Sequence, residues 1–251
     1  MKLRLTYQSL NIAVNNNQLQ EIPNSFYLAK NLVSINISEN ELSVISSVVV
    51  NNVTSFNPFT EISLWDQIRE LDLCGNELTT LPDAIGQLKG LEILRLKYNQ
   101  LESLPDALGS LELLKILDVE SNSLTSIPET IGNLKNLSEL NISINRLQEL
   151  PESIGNLTNL TILKVGENKL QSIPTEIGNL SNLRDLVLSD NPDLANLPAE
   201  LSLCSALTVL SLERCSLSEL PVPIVSGGSA MIVYFLQQVF LLRKQQNSEL
   251  T

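Results

Sequence analysis

The sequence predicts an α/β solenoid, a curved stack of repeated units. We expect a parallel β-sheet on its concave side, irregular or 3-10 structure on its convex side and a helix over its C-terminal end. Two observations predict this fold. Leucine-rich segments recur every 23 residues, and 50 of the 251 residues are Leu while 26 are Asn. Such a bias in composition is typical of a protein built from structural repeats. Units this short can bury their apolar faces only by stacking on one another.

Seven regular units fill most of the chain, and each approximates the pattern LxxLxLxxNxLxxLPxxIGxLxx. Six of them follow one another in steps of 23 residues, and the seventh follows after 24. Two degenerate units precede them, around residues 12–23 and 32–45. The regular units begin at Ile68, Leu91, Leu114, Leu137, Leu160, Leu183 and Leu207. The repeat therefore extends over about nine units.

The first part of each unit predicts a short strand followed by a turn. Two leucines stand two positions apart, as in Leu94 and Leu96, so both point inward while the residues between them face outward. An Asn follows in the turn, where its carboxamide can satisfy unpaired backbone groups. We expect a buried ladder of these residues: Asn17, Asn40, Asn76, Asn99, Asn122, Asn145, Asn168 and Asn191. Cys215 replaces Asn in the last unit, and we interpret it as structural.

The second part of each unit predicts the convex segment. A Pro fixes φ near the value that begins this segment, at Pro23, Pro82, Pro105, Pro128, Pro151, Pro174, Pro198 and Pro221. We expect the following glycines to give the chain the freedom to turn back toward the next strand: Gly86, Gly109, Gly132, Gly155 and Gly178.

This repeat resembles that of the intracellular leucine-rich repeat proteins of the LPxxIGxL subclass. It is similar to Ras-pathway scaffold proteins and to plant intracellular Ras-group-related proteins over about residues 9 to 236. The resemblance implies a horseshoe-shaped binding protein, and it implies a place in small-GTPase signalling. The resemblance predicts the fold more firmly than the function, because leucine-rich repeat modules serve many functions.

Between Leu32 and Ile68 the spacing is 36 residues instead of 23, which places an insertion within residues 46–67. This segment contains Trp65, Phe56 and Phe59 in a chain with 4% aromatic residues. Two readings remain open. The aromatic side chains fold back over the core, or they anchor a partner protein.

The end of the chain predicts a capping helix over residues 227–246, followed by a tail at 247–251 and preceded by a repeat domain at 1–226. It is similar to the terminal helix of the same subclass at Gly228, Met231, Ile232, Val233, Phe235 and Leu236. Residues 239–242 extend the apolar pattern around the helix, although a cap needs only one apolar face. The surplus favours contact with a partner, a second copy or further chain.

Outward strand positions predict the candidate binding surface on the concave side. The central column consists of Ala13, Asn36, Asp72, Arg95, Asp118, Asn141, Lys164, Val187 and Ser211. Glu70, Ile93, Ile116, Glu139 and Ile162 form one flank, and we group Lys97, Tyr98, Glu120, Ile144 and Glu167 as the other. Apolar side chains between mixed charges suit a protein partner, although simple solvation of the strands remains the alternative. The candidate partner-binding residues are Asp72, Arg95, Lys97, Tyr98, Ile116, Asp118, Glu120, Asn141, Ile144 and Lys164.

Composition argues against several other functions. The formal charge of −12 disfavours nucleic-acid binding. His is absent from the chain, which removes the commonest general base and metal ligand, so we expect no enzyme, cofactor or metal site. Asp118 and Glu120 should lie about 7 Å apart on one face, but an open sheet offers no enclosed site to tune them. Three unpaired cysteines and the lack of a signal segment or membrane span favour a soluble, cytoplasmic protein.

We therefore expect an interaction scaffold or adaptor whose partner is a protein, such as a small GTPase or a phosphatase or kinase complex. The alternative is a recognition module of a larger kinase, GTPase or immune-type receptor whose catalytic part lies outside this chain. Self-association through the C-terminal helix is a further prediction.

Overall fold

A computed structural model of the chain describes residues 9–22, 26, 31–43 and 67–249. These residues form nine short parallel strands in one sheet, ordered as they occur along the chain. The strands are β1 Leu10–Ala13, β2 Leu32–Asn36, β3 Glu70–Asp72, β4 Ile93–Arg95, β5 Ile116–Asp118, β6 Glu139–Asn141, β7 Ile162–Lys164, β8 Asp185–Val187 and β9 Val209–Ser211. The predicted solenoid with a parallel sheet is confirmed.

The core is one column of leucine and isoleucine side chains that runs between the sheet and the convex side. Leu94 and Leu96 are both fully buried, as their spacing predicts. On the convex side, the described units contain 3-10 helices, each beginning directly after a proline. They are Asp83–Gln87, Asp106–Ser110, Glu129–Asn133, Glu152–Asn156, Thr175–Asn179 and Ala199–Leu203. The φ angle of these prolines lies between −75° at Pro82 and −65° at Pro174, as predicted, whereas Pro23 lies outside the described residues.

The predicted asparagine ladder is present, and the rungs from Asn40 to Asn191 join neighbouring units. Asn99 Nδ2 donates to the carbonyl oxygens of Leu73 and Leu96, at 2.9 and 3.0 Å, and its Oδ1 accepts the Leu78 N–H at 3.0 Å. Six of the eight residues are buried, while Asn122 is half-buried and Asn17 is exposed at the open end of the stack. In the last unit the Cys215 thiol donates to the Leu188 carbonyl oxygen with an Sγ–O distance of 3.1 Å. Cys215 therefore makes one of the contacts that Asn makes elsewhere.

The glycines on the convex side are needed for close packing and not for a turn, as the prediction had it. Gly155 has no positive φ, so the turn does not need its conformational freedom. A Cβ atom at this position would instead lie 2.4 Å from the carbonyl oxygen of Glu176 in the next unit. The same close approach occurs at Gly86 and Gly109, each 2.4 Å from a carbonyl oxygen. Our expectation of a turn role was wrong, because these glycines allow adjacent 3-10 helices to pack closely.

Two helices close the C-terminal end. A short helix, α1 Val222–Ser226, begins after Pro221, and α2 Gly228–Glu249 follows Gly227. Helix α2 packs on the last 3-10 helix and buries Ile232 and Leu236. Ser229 Oγ donates to the Leu210 carbonyl oxygen of β9 at 2.6 Å. The helix continues to Glu249, beyond the predicted end at residue 246. The predicted insertion at 46–67, with Phe56, Phe59 and Trp65, lies outside the described residues except for Gln67.

Candidate protein-binding surface

Four columns of side chains form the concave face, and the strand register fixes the first two. The first column runs through Glu70, Ile93, Ile116, Glu139, Ile162, Asp185 and Val209. The second runs through Asp72, Arg95, Asp118, Asn141, Lys164, Val187 and Ser211. Both agree with the columns that the sequence predicts.

The residues of the other predicted flank fall into two columns. The third column contains Cys74, Lys97, Glu120, Ser143, Gly166, Ser189 and Glu213. The fourth contains Gly75, Tyr98, Ser121, Ile144, Glu167, Asp190 and Arg214, which all have φ between 54° and 63°. The chain enters the left-handed region at the residue before each ladder Asn, so two consecutive residues face different directions there.

The fourth column exposes large apolar side chains on strained backbone. Tyr98 is 55% exposed with φ of 57°, and Ile144 is 38% exposed with φ of 55°. A β-branched residue is disfavoured at such a φ, where Gly, Asn and Asp are preferred. The structure thus holds two apolar groups toward solvent at positions that favour other residue types.

The basic residues of the concave face all pair with acids from neighbouring strands. Arg95 pairs with Glu70. Lys97 Nζ lies 2.8 Å from a Glu120 carboxylate oxygen and 4.7 Å from the centre of the Tyr98 ring. Lys164 Nζ lies 3.4 Å from Glu139. The hydrogen bond to Glu120 is the main cause of a raised pKa at Lys97. Three of the candidate residues, Arg95, Lys97 and Lys164, are therefore engaged in ion pairs on the surface.

Several acidic and amide side chains of the second column form hydrogen bonds to the backbone or to a neighbouring side chain. Asp118 Oδ1 accepts the Glu120 N–H at 3.1 Å, and Asp72 Oδ1 accepts the Cys74 N–H at 3.0 Å. Asn141 is buried and donates from Nδ2 to a Glu120 carboxylate oxygen at 2.7 Å. Burial raises the pKa of the Asp118 carboxyl. Asp118 and Glu120 are thus joined through the backbone, and the Glu120 carboxylate is occupied by Lys97 and Asn141.

The described thiols are unsuited to nucleophilic chemistry, as predicted for structural cysteines. Burial raises the pKa of Cys74 to about 12 and that of Cys204 to about 11. Burial also raises the pKa of Cys215. Because the thiolate is the reactive form, these three groups stay protonated near neutral pH.

The sequence reading missed one feature of the concave face. A cavity of about 200 Å³ lies over β6, β7 and β8 and includes Gly166, Ile144, Glu167 and Val187 in its lining. Gly166 is the one glycine in the third column, among Lys97, Glu120, Ser143 and Ser189. Comparing residues column by column would have identified it.

A second exposed region lies at the C-terminal end. Helix α2 leaves Tyr234 at 59% and Leu242 at 58% exposure, and Met231 and Leu241 are also exposed. A groove lined by Leu207, Leu210, Val233 and Tyr234 runs between α2 and β9. In the part of the chain that the structure describes, no helix combines the length and hydrophobicity needed to cross a bilayer.

A family model described as a leucine-rich repeat region matches residues 57–145 and 106–219, which together cover more than half of the chain. The leucine-rich repeat protein SHOC-2 of Danio rerio is 53% identical over 49 residues, a match that spans 20% of this chain and 9% of that protein.

Solved structures resemble this one over most of its length. Internalin C2 of Listeria monocytogenes shares the fold, with a TM-score of 0.65 and 24% identity over 80% of this chain and 79% of that chain. The leucine-rich repeat ectodomain of the Arabidopsis thaliana receptor kinase GASSHO1/SCHENGEN3, solved with CASPARIAN STRIP INTEGRITY FACTOR 2, has a TM-score of 0.64 and 29% identity. That match covers 82% of this chain and 27% of that one.

Proposed function

Because the chain belongs to the leucine-rich repeat family, we propose that it is a non-catalytic adaptor that binds a partner protein on its concave face. We further propose that it acts in the cytoplasm in small-GTPase signalling. The partner is a protein such as a small GTPase or a phosphatase or kinase complex. The candidate contacts are the ten residues selected from the sequence, with Tyr98 and Ile144 as the apolar anchors.

The observation that carries this proposal is the left-handed, exposed placement of Tyr98 and Ile144. Backbone strain of this kind persists where the surrounding structure imposes it, and it is concentrated at functional positions. Large exposed apolar groups also mark protein interaction sites when polar residues surround them. Simple solvation of the strands explains neither residue choice.

The signalling role is supported by the repeat pattern and by the similarity to SHOC-2, which spans 9% of the length of that protein. The competing proposal is a recognition module of a larger receptor or enzyme. The resemblance to the receptor-kinase ectodomain favours this proposal, because the match covers 27% of that longer chain. The full-length transcript separates these proposals by revealing whether a catalytic domain is encoded with the repeats.

Affinity capture from a native lysate tests the concave surface. Charge reversal at Arg95 or Lys164, and Ile144→Ser, should each reduce partner capture while the melting temperature changes little. Lys89→Glu provides a matched control, because Lys89 is an exposed residue next to a convex 3-10 helix and donates to the Ser110 carbonyl oxygen. Equal capture by the concave variants and by the wild type would overturn the proposal.

We also propose self-association through α2, for which the supporting observation is the exposure of Tyr234 and Leu242. Light scattering at increasing protein concentration should show a dimer that Tyr234→Ser with Leu242→Ser removes. A monomer at every concentration would contradict this proposal without affecting the concave face.

A further inference from the structure

The cavity over β6, β7 and β8 exists because side chains in the third column become small there. Lys97 and Glu120 occupy this column in the preceding units, but Ser143, Gly166 and Ser189 follow. Ile144 and Glu167 of the fourth column lie on one side of the cavity, and Lys164 and Val187 of the second lie on the other. The resulting space of about 200 Å³ is below the range of about 300–1,000 Å³ that is typical of small-molecule sites.

Gly166 differs physically from the convex glycines. A Cβ atom at Gly166 would lie 3.2 Å from the Ser189 carbonyl oxygen, 3.6 Å from Val187 Cγ1 and 4.0 Å from Ser143 Oγ. At Gly155 the corresponding nearest distance is 2.4 Å, which excludes any side chain. Gly166 also lacks a positive φ. A Cβ atom at Gly166 would therefore be tight against one carbonyl oxygen but not excluded as at Gly155, and the small size of glycine keeps the cavity open.

The charges around the cavity favour a cation. The four concave columns from Glu70 to Arg214 contain nine acidic and four basic residues. All four basic residues form ion pairs, Arg95 with Glu70, Lys97 with Glu120, Lys164 with Glu139 and Arg214 with Asp190. Among the described residues, this leaves five acids of these columns without an ion pair: Asp72, Asp118, Glu167, Asp185 and Glu213. Glu167 lines the cavity itself and is exposed.

We infer that this cavity accepts one lysine or arginine side chain of the partner protein, a step that rests on the proposed function of the concave face. Long basic side chains lay their aliphatic stems along apolar surface while keeping the charge in water. Ile144 and Val187 offer that apolar surface, and the carboxylate of Glu167 lies beside it. Lys164 also lines the cavity, but its charge is offset by Glu139 at 3.4 Å. The site therefore selects a basic segment of a partner over an acidic one.

Nuclear magnetic resonance titration of the ¹⁵N-labelled full chain tests this inference. The probes are capped tripeptides of sequence Ser-Arg-Ser and Ser-Lys-Ser, with Ser-norleucine-Ser and Ser-Glu-Ser as matched controls. The basic probes should shift the amide signals of Ile144, Gly166 and Glu167, and added salt should weaken these shifts. The neutral and acidic probes should leave these signals in place.

Two variants make the site assignment specific. Gly166→Leu fills the cavity and should abolish the localised shifts. Glu167→Gln should weaken binding of the basic probes about two- to fivefold, the effect expected of one exposed charge pair. Glu149→Gln, an equal charge change at an exposed residue beyond the ladder turn, should have no effect. Thermal melting checks that each variant is folded. If Gly166→Leu does not fold, Glu167→Gln still tests the inference.

The inference is overturned if the basic probes shift no signals, if the shifts spread over all acidic surfaces, or if norleucine acts as strongly as arginine. It is also overturned if Glu167→Gln and Glu149→Gln behave alike. In these cases the adaptor proposal still stands when Arg95 reversal reduces partner capture. Conversely, localised probe shifts with capture insensitive to every concave variant would support the cavity and reject the adaptor proposal.

Discussion

The Oδ1 atom of Asn168 accepts the backbone N–H of Leu147, 21 residues earlier in the chain, at 3.0 Å. The Nδ2 atom of the same side chain donates to the carbonyl oxygens of Ile142, Val165 and Gly166, each at 3.1 Å. One buried carboxamide thus joins two consecutive units through four backbone groups.

Replacing Asn168 by Ala should lower the free energy of unfolding by about 3 kcal/mol or more. The substitution leaves buried backbone donors and acceptors unsatisfied, at about 1–3 kcal/mol each. Chemical denaturation followed by circular dichroism measures this loss. Asn17→Ala is the matched control, because Asn17 is exposed and its Nδ2 donates to the carbonyl oxygens of Val14 and Asn15 in its own turn. Similar losses in both variants would contradict the ladder as a source of stability.

Gly155→Ala should destabilise the fold by about 1–3 kcal/mol through overpacking, since its Cβ atom would lie 2.4 Å from a backbone carbonyl oxygen. Gly166→Ala should be nearly neutral, because its nearest neighbour is 3.2 Å away and the loss of unfolded-chain freedom offsets the strain. Melting temperatures of the two variants make the comparison. Equal destabilisation would indicate that both glycines serve packing.

Asp118→Asn should stabilise the protein slightly at pH 7, by less than about 1 kcal/mol. Burial raises the pKa of Asp118, so the folded state binds its proton more tightly than the unfolded state does. Its ionisation therefore reduces stability as the pH rises above the unfolded pKa of about 3.9. Asn can replace the carboxylate as acceptor, as Asn36 does for the Ser38 N–H at 3.0 Å.

Denaturation at pH 3 and pH 7 tests this assignment, and the gain from Asp118→Asn should vanish at pH 3. Asp190→Asn supplies the opposite case, because the hydrogen bond from Arg214 lowers the pKa of Asp190. That variant should give no gain at pH 7. A gain from Asp118→Asn at both pH values would show that the charge is not its cause.

The native thiols should react slowly with Ellman's reagent at pH 8. A pKa of about 12 leaves only about one Cys74 in 10⁴ as thiolate at that pH, and Cys204 has a pKa of about 11. In guanidinium all three cysteines should react at the rate of ordinary thiols. Fast modification of one thiol in the folded protein would contradict the structural role.

The repeat spacing was sufficient to predict which side chains are buried. Side chains alternate between the two faces of a strand, so Leu94 and Leu96 point to the same face, and the 23-residue period shows that this face is the core. It was also sufficient for the polar ladder, since a buried carboxamide at that turn has few other partners. The direction of Tyr98 was not predictable from alternation, because a left-handed residue interrupts the strand pattern before each ladder Asn.

The candidate site was only partly accessible to sequence reasoning. Column reading placed Arg95 and Asp118 correctly, but the ion pair of Arg95 with Glu70 joins residues 25 positions apart and depends on side-chain conformations. The sequence places Gly155 and Gly166 at different positions of the repeat, but it does not give the distances to the next unit. Those distances show that Gly155 is required for close packing, whereas Gly166 borders a cavity.

From Asn99 to Asn191, each ladder Asn accepts the N–H of the residue 21 positions earlier, so these consecutive units present matching donors and acceptors. Excising a whole 23-residue unit, for instance residues 123–145, would remove the Leu124 N–H together with its acceptor Asn145, while Asn122 would keep the Leu101 N–H and Asn168 the Leu147 N–H. Removing a fraction of a unit would instead change the spacing of the rung that spans the deletion. The arc can therefore shorten or lengthen in whole units while the ladder bonds keep their pattern, so the length of the concave face can vary with the number of encoded repeats.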